Sequence, residues 1–119
     1  MKNKYKIFDK KENEFVDEDH KFFLSQRGFL HHVYSQIDQD NFVVIFYTGV
    51  NDSNDNGIYE GDILFGETRN DPKYPTFKGV VEFHQPTASF LVRDDMGFTR
   101  GLNSFLKVEV VGNKYEISN

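Results

Sequence analysis

Polar and apolar residues alternate from the start of the chain. Tyr5 and Ile7 stand between Lys4 and Lys6, the two-residue period of a half-buried strand. Asp9 to Glu14 is polar throughout and predicts a turn, with Phe15-Val16 as the return arm of a hairpin. Between Phe22 and Ile37 the pattern supports two readings. Phe29, Leu30, Val33, Tyr34 and Ile37 fall on one helical stripe, yet Arg27-Gly28 looks like a break and the same residue types suit a strand. Strand and short helix both stay open there. Asp38 to Asn41 predicts a turn, and Phe42 to Thr48, with few polar interruptions, predicts a strand buried on both faces.

Beyond a polar loop from Asn51, Ile58-Tyr59 leads through Gly61-Asp62 into a further strand at Ile63-Leu64-Phe65. Gly66 to Thr76 carries Pro72 and Pro75 and predicts an irregular excursion. Four short strands follow at close spacing, over Phe77 to His84, Ser89 to Asp94, Phe98 to Leu102 and Lys107 to Val111. Gln85-Pro86-Thr87 and Asp95-Met96-Gly97 supply turns between them, and Asn103-Ser104-Phe105 suits a single 3₁₀ turn. The expected class is mainly β: a small barrel of SH3-like layout with an N-terminal β-rich, or α+β, elaboration. Residues 1–41 are read as that elaboration and 42–117 as the barrel, within one domain and without repeats or a linker.

Composition narrows the chemistry. The 119 residues include no Cys, which removes disulfides, thiol nucleophiles and Cys-ligated metals. Thirteen Phe and six Tyr suggest an aromatic core. The longest apolar run, Phe42 to Tyr47, is too short for a signal peptide or a spanning helix, so the expected location is the cytoplasm, without membrane contact. A net charge of −5 counts against a broad phosphate-binding face.

Four separated segments carry a resemblance. Tyr47-Thr48-Gly49-Val50 and Ile58-Tyr59-Glu60-Gly61-Asp62-Ile63 flank a seven-residue polar insert that contains Asp52. Near the end stands Glu109-Val110-Val111-Gly112-Asn113-Lys114-Tyr115-Glu116, and near the start Lys6-Ile7-Phe8-Asp9-Lys10. In order and spacing these resemble the YopX family of phage and prophage proteins across nearly the whole chain. The resemblance implies an SH3-like barrel and an accessory protein of temperate phages, chiefly of Gram-positive hosts, working in the bacterial cytoplasm. It implies no activity, cofactor or catalytic residue. Phe8 stands where the family usually has Trp, and the insert's usual Asn-Gly becomes Asn54-Asp55, with Gly57 two residues later. Asp tolerates a left-handed turn position, so a reshaped turn is expected.

The signature residues Tyr47, Thr48, Gly49, Asp52, Ile58, Tyr59, Glu60, Gly61, Asp62, Gly112, Asn113, Tyr115 and Glu116 read as architectural. Gly49 and Gly61 suit sharp turns or close backbone approach, Asp62 suits a cap on backbone N–H groups, and the tyrosines suit barrel margins. Asp52 to Gly57 begins like a calcium loop, but Ile63 stands where a bidentate Glu is required, so a polar hairpin loop is the better reading. His20, His31, His32 and His84 share no facet that would hold a metal, and the acidic turn of Asp17, Glu18 and Asp19 beside His20 reads as solvated. Ser25, Ser35, Ser53, Ser89, Ser104 and Ser118 lie in no nucleophile elbow, and the Asp94-Asp95 and Glu60/Asp62 pairs are explained by turns. Lys2, Lys4, Lys6, Lys10 and Lys11, interleaved with Tyr5 and Phe8, form one basic cluster able to touch a nucleic-acid backbone and stack on bases. Arg69, Lys73, Lys78, Arg93 and Arg100 are scattered. The favoured expectation is a non-enzymatic interaction or scaffold module for a phage or host protein, with homo-oligomers allowed through open sheet edges. Weak nucleic-acid binding and a hydrolase are the alternatives.

Overall fold

The computed structural model describes residues 4–16, 21–32 and 36–116. Lys2, Asp17 to His20, Val33, Tyr34, Ser35 and Ser118 lie outside them. The described residues are mainly β and contain no α-helix. Eleven strands run in chain order: β1 (Tyr5–Asp9), β2 (Glu14–Phe15), β3 (Phe22–Leu24), β4 (Leu30–His32), β5 (Phe42–Asn51), β6 (Gly57–Tyr59), β7 (Asp62–Thr68), β8 (Thr76–His84), β9 (Ser89–Arg93), β10 (Thr99–Gly101) and β11 (Phe105–Asn113). They form a four-stranded sheet β2-β1-β5-β6, a curled five-stranded sheet β10-β9-β8-β7-β11 and the hairpin β3-β4. All pairings are antiparallel.

The β1–β2 hairpin forms where the alternation places it, pairing Phe8 with Phe15 and Asp9 with Glu14. Its polar turn is tied by Asp9, whose Oδ1 accepts from the Glu12 N–H at 3.1 Å and from Asn41 Nδ2 at 2.8 Å. Over 22–32 the open question resolves as β3–β4, while Val33 and Tyr34 of the stripe lie outside the described residues. Ser25 and Phe29 close the turn, with the Ser25 N–H donating to the Phe29 carbonyl and Ser25 Oγ accepting from the Phe29 N–H. Local side-chain-to-backbone bonds of this kind compete directly with a helix.

β1 pairs with β5 over five residues, Tyr5↔Phe46 through Asp9↔Phe42, so the N-terminal hairpin completes the first sheet. The boundary between the two large sheets falls at residues 59–62, where the chain leaves β6 and starts β7. β5 corrects one expectation: it is not buried on both faces. Ile45 is buried and Phe46 and Val50 are exposed; on the face that carries Phe46, cover reaches Ile7 and Phe42, where Phe22 of β3 packs, and stops short of Phe46. The excursion after β7 is also shorter than expected, since β7 continues through Gly66 to Thr68.

Two clusters pack side by side. Leu64, Val81, Val92, Phe105 and Val108 line the inside of the five-stranded curl together with Ile58. Phe8, Ile45 and Tyr59 form the second cluster, walled by Phe15, Val43, Tyr47 and Tyr115. Successive residues of a strand point to opposite faces, so the three-residue β6 sends Ile58 into one cluster and Tyr59 into the other. The aromatic-core expectation needs correcting as well. The largest fully buried side chains are the aliphatic Ile7, Ile45, Ile58, Leu64, Val81 and Val92, with many of the rings around them. Molecular extents are 54 × 33 × 27 Å with a radius of gyration of 15.7 Å, against about 13.5 Å for a compact chain of this length. The chain is elongated.

Ile58→Ala removes a fully buried side chain from the shared strand and is expected to cost about 2–5 kcal/mol. The half-exposed Val111→Ala is expected to stay within about 0.5 kcal/mol. Urea midpoints of the two variants check the contrast.

Candidate functional site

Where the two large sheets meet, the signature residues converge. Gly61 has φ +90°, open to glycine at little cost, and a Cβ there would lie 2.4 Å from Cε2 of Tyr115. The Gly61 N–H donates to the Val81 carbonyl of β8 at 2.8 Å, while its own carbonyl accepts from the Lys114 N–H at 2.9 Å. One residue earlier, the Glu60 N–H donates to the Phe46 carbonyl of β5 at 3.0 Å. Three backbone bonds thus tie the β6–β7 turn to three different strands or their ends. Asp62 closes the turn, its Oδ2 accepting from the Tyr59 N–H at 2.8 Å.

Tyr115 is delivered onto this turn by Asn113. Asn113 Oδ1 accepts from the backbone N–H groups of Tyr115 (3.0 Å) and Glu116 (2.9 Å), and its Nδ2 donates to Glu116 Oε1. The ring of Tyr115 then covers Gly61 and packs against Phe8 at 5.4 Å between centroids. Burial, and secondarily the charge of Glu60, pushes the Tyr115 phenol above its ordinary range. At the other end of the motif, Gly49 (φ +85°) forms a bulge in β5. The Thr48 hydroxyl spans the gap, donating to the Ile58 carbonyl at 2.7 Å and accepting from the Val50 N–H at 3.2 Å. A bulge leaves a ladder position unpaired, and this threonine repairs it.

The polar insert is a clamp. Asp52 is buried, and its carboxylate accepts from the Asn54 and Asn56 N–H groups of its own loop and from the Val110 N–H of β11 at 2.9 Å. Burial by itself would raise the Asp52 carboxyl, but these N–H donors outweigh it and hold the group below the ordinary carboxylate value. Beside it, the Ser53 N–H donates to the Val108 carbonyl, and Ser53 Oγ accepts from the Val108 N–H. The loop therefore covers the outer edge of β11, which would otherwise offer the longest open edge of the sheet. Asp55 adopts φ +64°, the left-handed position expected where Gly is missing, and Asn51 Nδ2 holds its carboxylate at 2.8 Å.

Between the clamp and the turn lies a small polar cleft of about 390 Å³, lined by Lys6, Asn56, Tyr59, Asp62 and Asn113 among others. Lys6 Nζ sits 4.2 Å from the centre of the Tyr59 ring. Burial pushes the Asp62 carboxyl up, a tendency that the Tyr59 N–H and the Lys6 charge oppose only in part. The basic cluster is thus divided: Lys6 leans on Tyr59, Lys10 and Lys11 extend from the hairpin turn, and Phe8 is buried, so Phe8 cannot stack on a base as the sequence suggested. His31 and His32 point to opposite faces of β4, against Phe23 and Phe22 respectively, and His84 bonds to Thr87. No group of three or more His, Asp or Glu able to hold a metal ion occurs among the described residues.

A second concavity escaped the sequence reading. The loop after β7 and the β9–β10 turn wall a groove of about 680 Å³ whose lining includes Tyr74, Phe77, Met96, Phe98 and Arg100. Tyr74, Met96 and Phe98 are exposed by 57, 79 and 65%. Both walls are internally bonded. Tyr74 is held by Asp71, which accepts its N–H, and by Thr68, whose hydroxyl donates to the Tyr74 carbonyl at 2.7 Å. In the facing turn Asp94 Oδ1 accepts from the Met96 (3.0 Å) and Phe98 (2.8 Å) N–H groups. Asp71 joins the walls through an ion pair with Arg100, whose guanidinium lies over Phe77. The available signal was large apolar residues standing among Pro, Gly and Asp in loops.

A mainly β chain whose two large sheets are locked by a Gly-Asp turn under Tyr115 is the class that this geometry defines. The chain belongs to the YopX protein family, whose model matches residues 2–119. No curated protein matches it.

Gly61→Ala is expected to cost about 2–4 kcal/mol, combining left-handed strain with collision against Tyr115. Gly97→Ala, with a φ of +90° but nothing within 4 Å of the new Cβ, is expected to cost about 1–2 kcal/mol. Denaturant titration separates them. The two buried aspartates act oppositely on acidification. Asp52, with its folded pKa lowered, contributes stability that is present above 3.8 and lost as pH falls through the lowered value. Asp62, with its folded pKa raised, gains stability as pH falls through that raised value toward 3.8. Asp52→Asn is therefore expected to cost about 1–3 kcal/mol at pH 7. Asp62→Asn keeps an acceptor for Tyr59 and is expected to be no less stable than the parent at pH 7, with the acid gain abolished. Urea unfolding between pH 3 and 7 checks both.

Proposed function

We propose that this chain is a non-enzymatic interaction module that seats a partner protein in the groove between the 69–75 loop and the 94–98 turn. The observation that carries the reading is rigid exposure: Tyr74, Met96 and Phe98 stand in solvent on loops closed by their own hydrogen bonds. Aromatic residues and Met are enriched where proteins meet, and an apolar surface organised beforehand avoids the ordering cost of binding. We place the module as an accessory protein of a phage or prophage in the bacterial cytoplasm, in keeping with its family, and read the curl of β7 to β11 as a small barrel of SH3-like type.

Two structural features shape the competing possibilities. Nucleic-acid binding through the N-terminal lysines loses one of its two aromatic partners, with Phe8 buried, and Lys6 lies over Tyr59. Self-association through β11 meets the Asp52-Ser53 clamp along that edge. The groove is the better surface.

A photo-crosslinking amino acid at position 98, expressed in lysogenic cells, is expected to give a discrete protein adduct. The same probe at the exposed Leu106 is expected to give none. Phe98→Ser should unfold within a few degrees of the parent, and Tyr74→Ser should abolish the adduct. Equal labelling from both positions would overturn the proposal.

A further inference from the structure

Resting on that reading of the groove, we infer the chemistry of its occupant: an extended peptide segment with apolar side chains and a Lys or Arg beside them. The apolar part follows from Tyr74, Phe77, Met96 and Phe98. The cation follows from the charges around them. Asp71 is neutralised by Arg100, which leaves Asp94 and Asp95 facing the single cation Lys78 within the lining. Neither Asp94 nor Asp95 makes an ion pair among the described residues. Asp95 stands free in solvent beside Met96, the most exposed apolar side chain of the groove. A basic side chain next to an apolar one therefore meets both of its complements within two residues of the turn, and electrostatic complementarity of this kind selects partners more than it adds affinity.

The floor carries a second signal. Arg100 Nε is buried and has no acceptor, an uncommon state for a charged donor. Arg100 belongs to the groove lining, and a backbone carbonyl of the occupant is the kind of acceptor this donor lacks. An extended segment supplies such carbonyls at regular spacing, alternating with the side chains that fill an apolar trough. A nucleic-acid strand could stack on the same rings, but its phosphates would meet Asp94 and Asp95.

Three fluorescein-labelled dodecapeptides provide the test, sharing one central Leu-Pro-Val-Leu core and flanked by Arg, by Glu or by Ser. Anisotropy at low salt is expected to show the Arg-flanked peptide binding about tenfold tighter than the Glu-flanked one, with the preference shrinking in high salt. Asp95→Lys, at an exposed position that bonds to nothing else, is expected to level or reverse that order. Phe98→Ser is expected to weaken all three. If the peptides bind equally, or the Glu-flanked one binds best, and Phe98→Ser still abolishes binding, the cation requirement is wrong while the groove stands. If none binds, or binding ignores Phe98→Ser, the inference fails together with the groove assignment.

Discussion

The turn from Tyr59 to Asp62 is the constraint on which the rest of the molecule depends. Within four residues it ends one sheet and begins the other, and its backbone is bonded to β5, to β8 and to the segment after β11. Only glycine fits at position 61, both for its left-handed backbone and for the tyrosine ring lying against it. The Asn113 turn, the Tyr115–Phe8 contact and the alternation of Ile58 and Tyr59 follow from placing that one glycine where two sheets meet. Asp52 applies a second lock 10 residues upstream of Asp62 by gripping Val110 of β11.

These locks sit away from the groove. The joint is made of buried aromatics, buried carboxylates and backbone bonds, whereas the rim of the groove is made of exposed side chains on two short loops. The division is physically sensible. Loops presenting a binding surface must be held still, and here Asp71, Thr68 and Asp94 do so locally without drawing on the core. The groove's side chains can therefore vary with the partner while the joint stays fixed.

Much of the strand order was legible from alternation and turn chemistry, because a half-buried strand writes its two-residue period into the chain. β5 misled because a continuous apolar run describes what a strand is made of and not what covers it. Phe22 packs on Phe42 at one end of β5, whereas Phe46 and Val50 further along it stay exposed. The 22–37 segment was undecidable because its apolar spacing fits both periods, and the deciding bonds involve Ser25 and Phe29, neither of which is diagnostic alone. The signature residues could be selected from the sequence, but their roles needed contacts across 54 residues, from Gly61 to Tyr115, and 58 residues, from Asp52 to Val110. The groove was invisible for the opposite reason. Pattern reading treats an apolar residue inside a polar loop as incidental, as with Tyr74 and Met96, and it takes Phe98 for the first residue of a strand that in fact begins at Thr99.

The division of β6 has a consequence for how the molecule comes apart. Its two neighbouring residues are cornerstones of separate clusters, so neither sheet can open at that strand without uncovering side chains of the other. An elongated chain with two cores would ordinarily be free to melt in stages. This one is expected to unfold as a single cooperative unit, because Ile58 and Tyr59, neighbours on one short strand, tie the two clusters together.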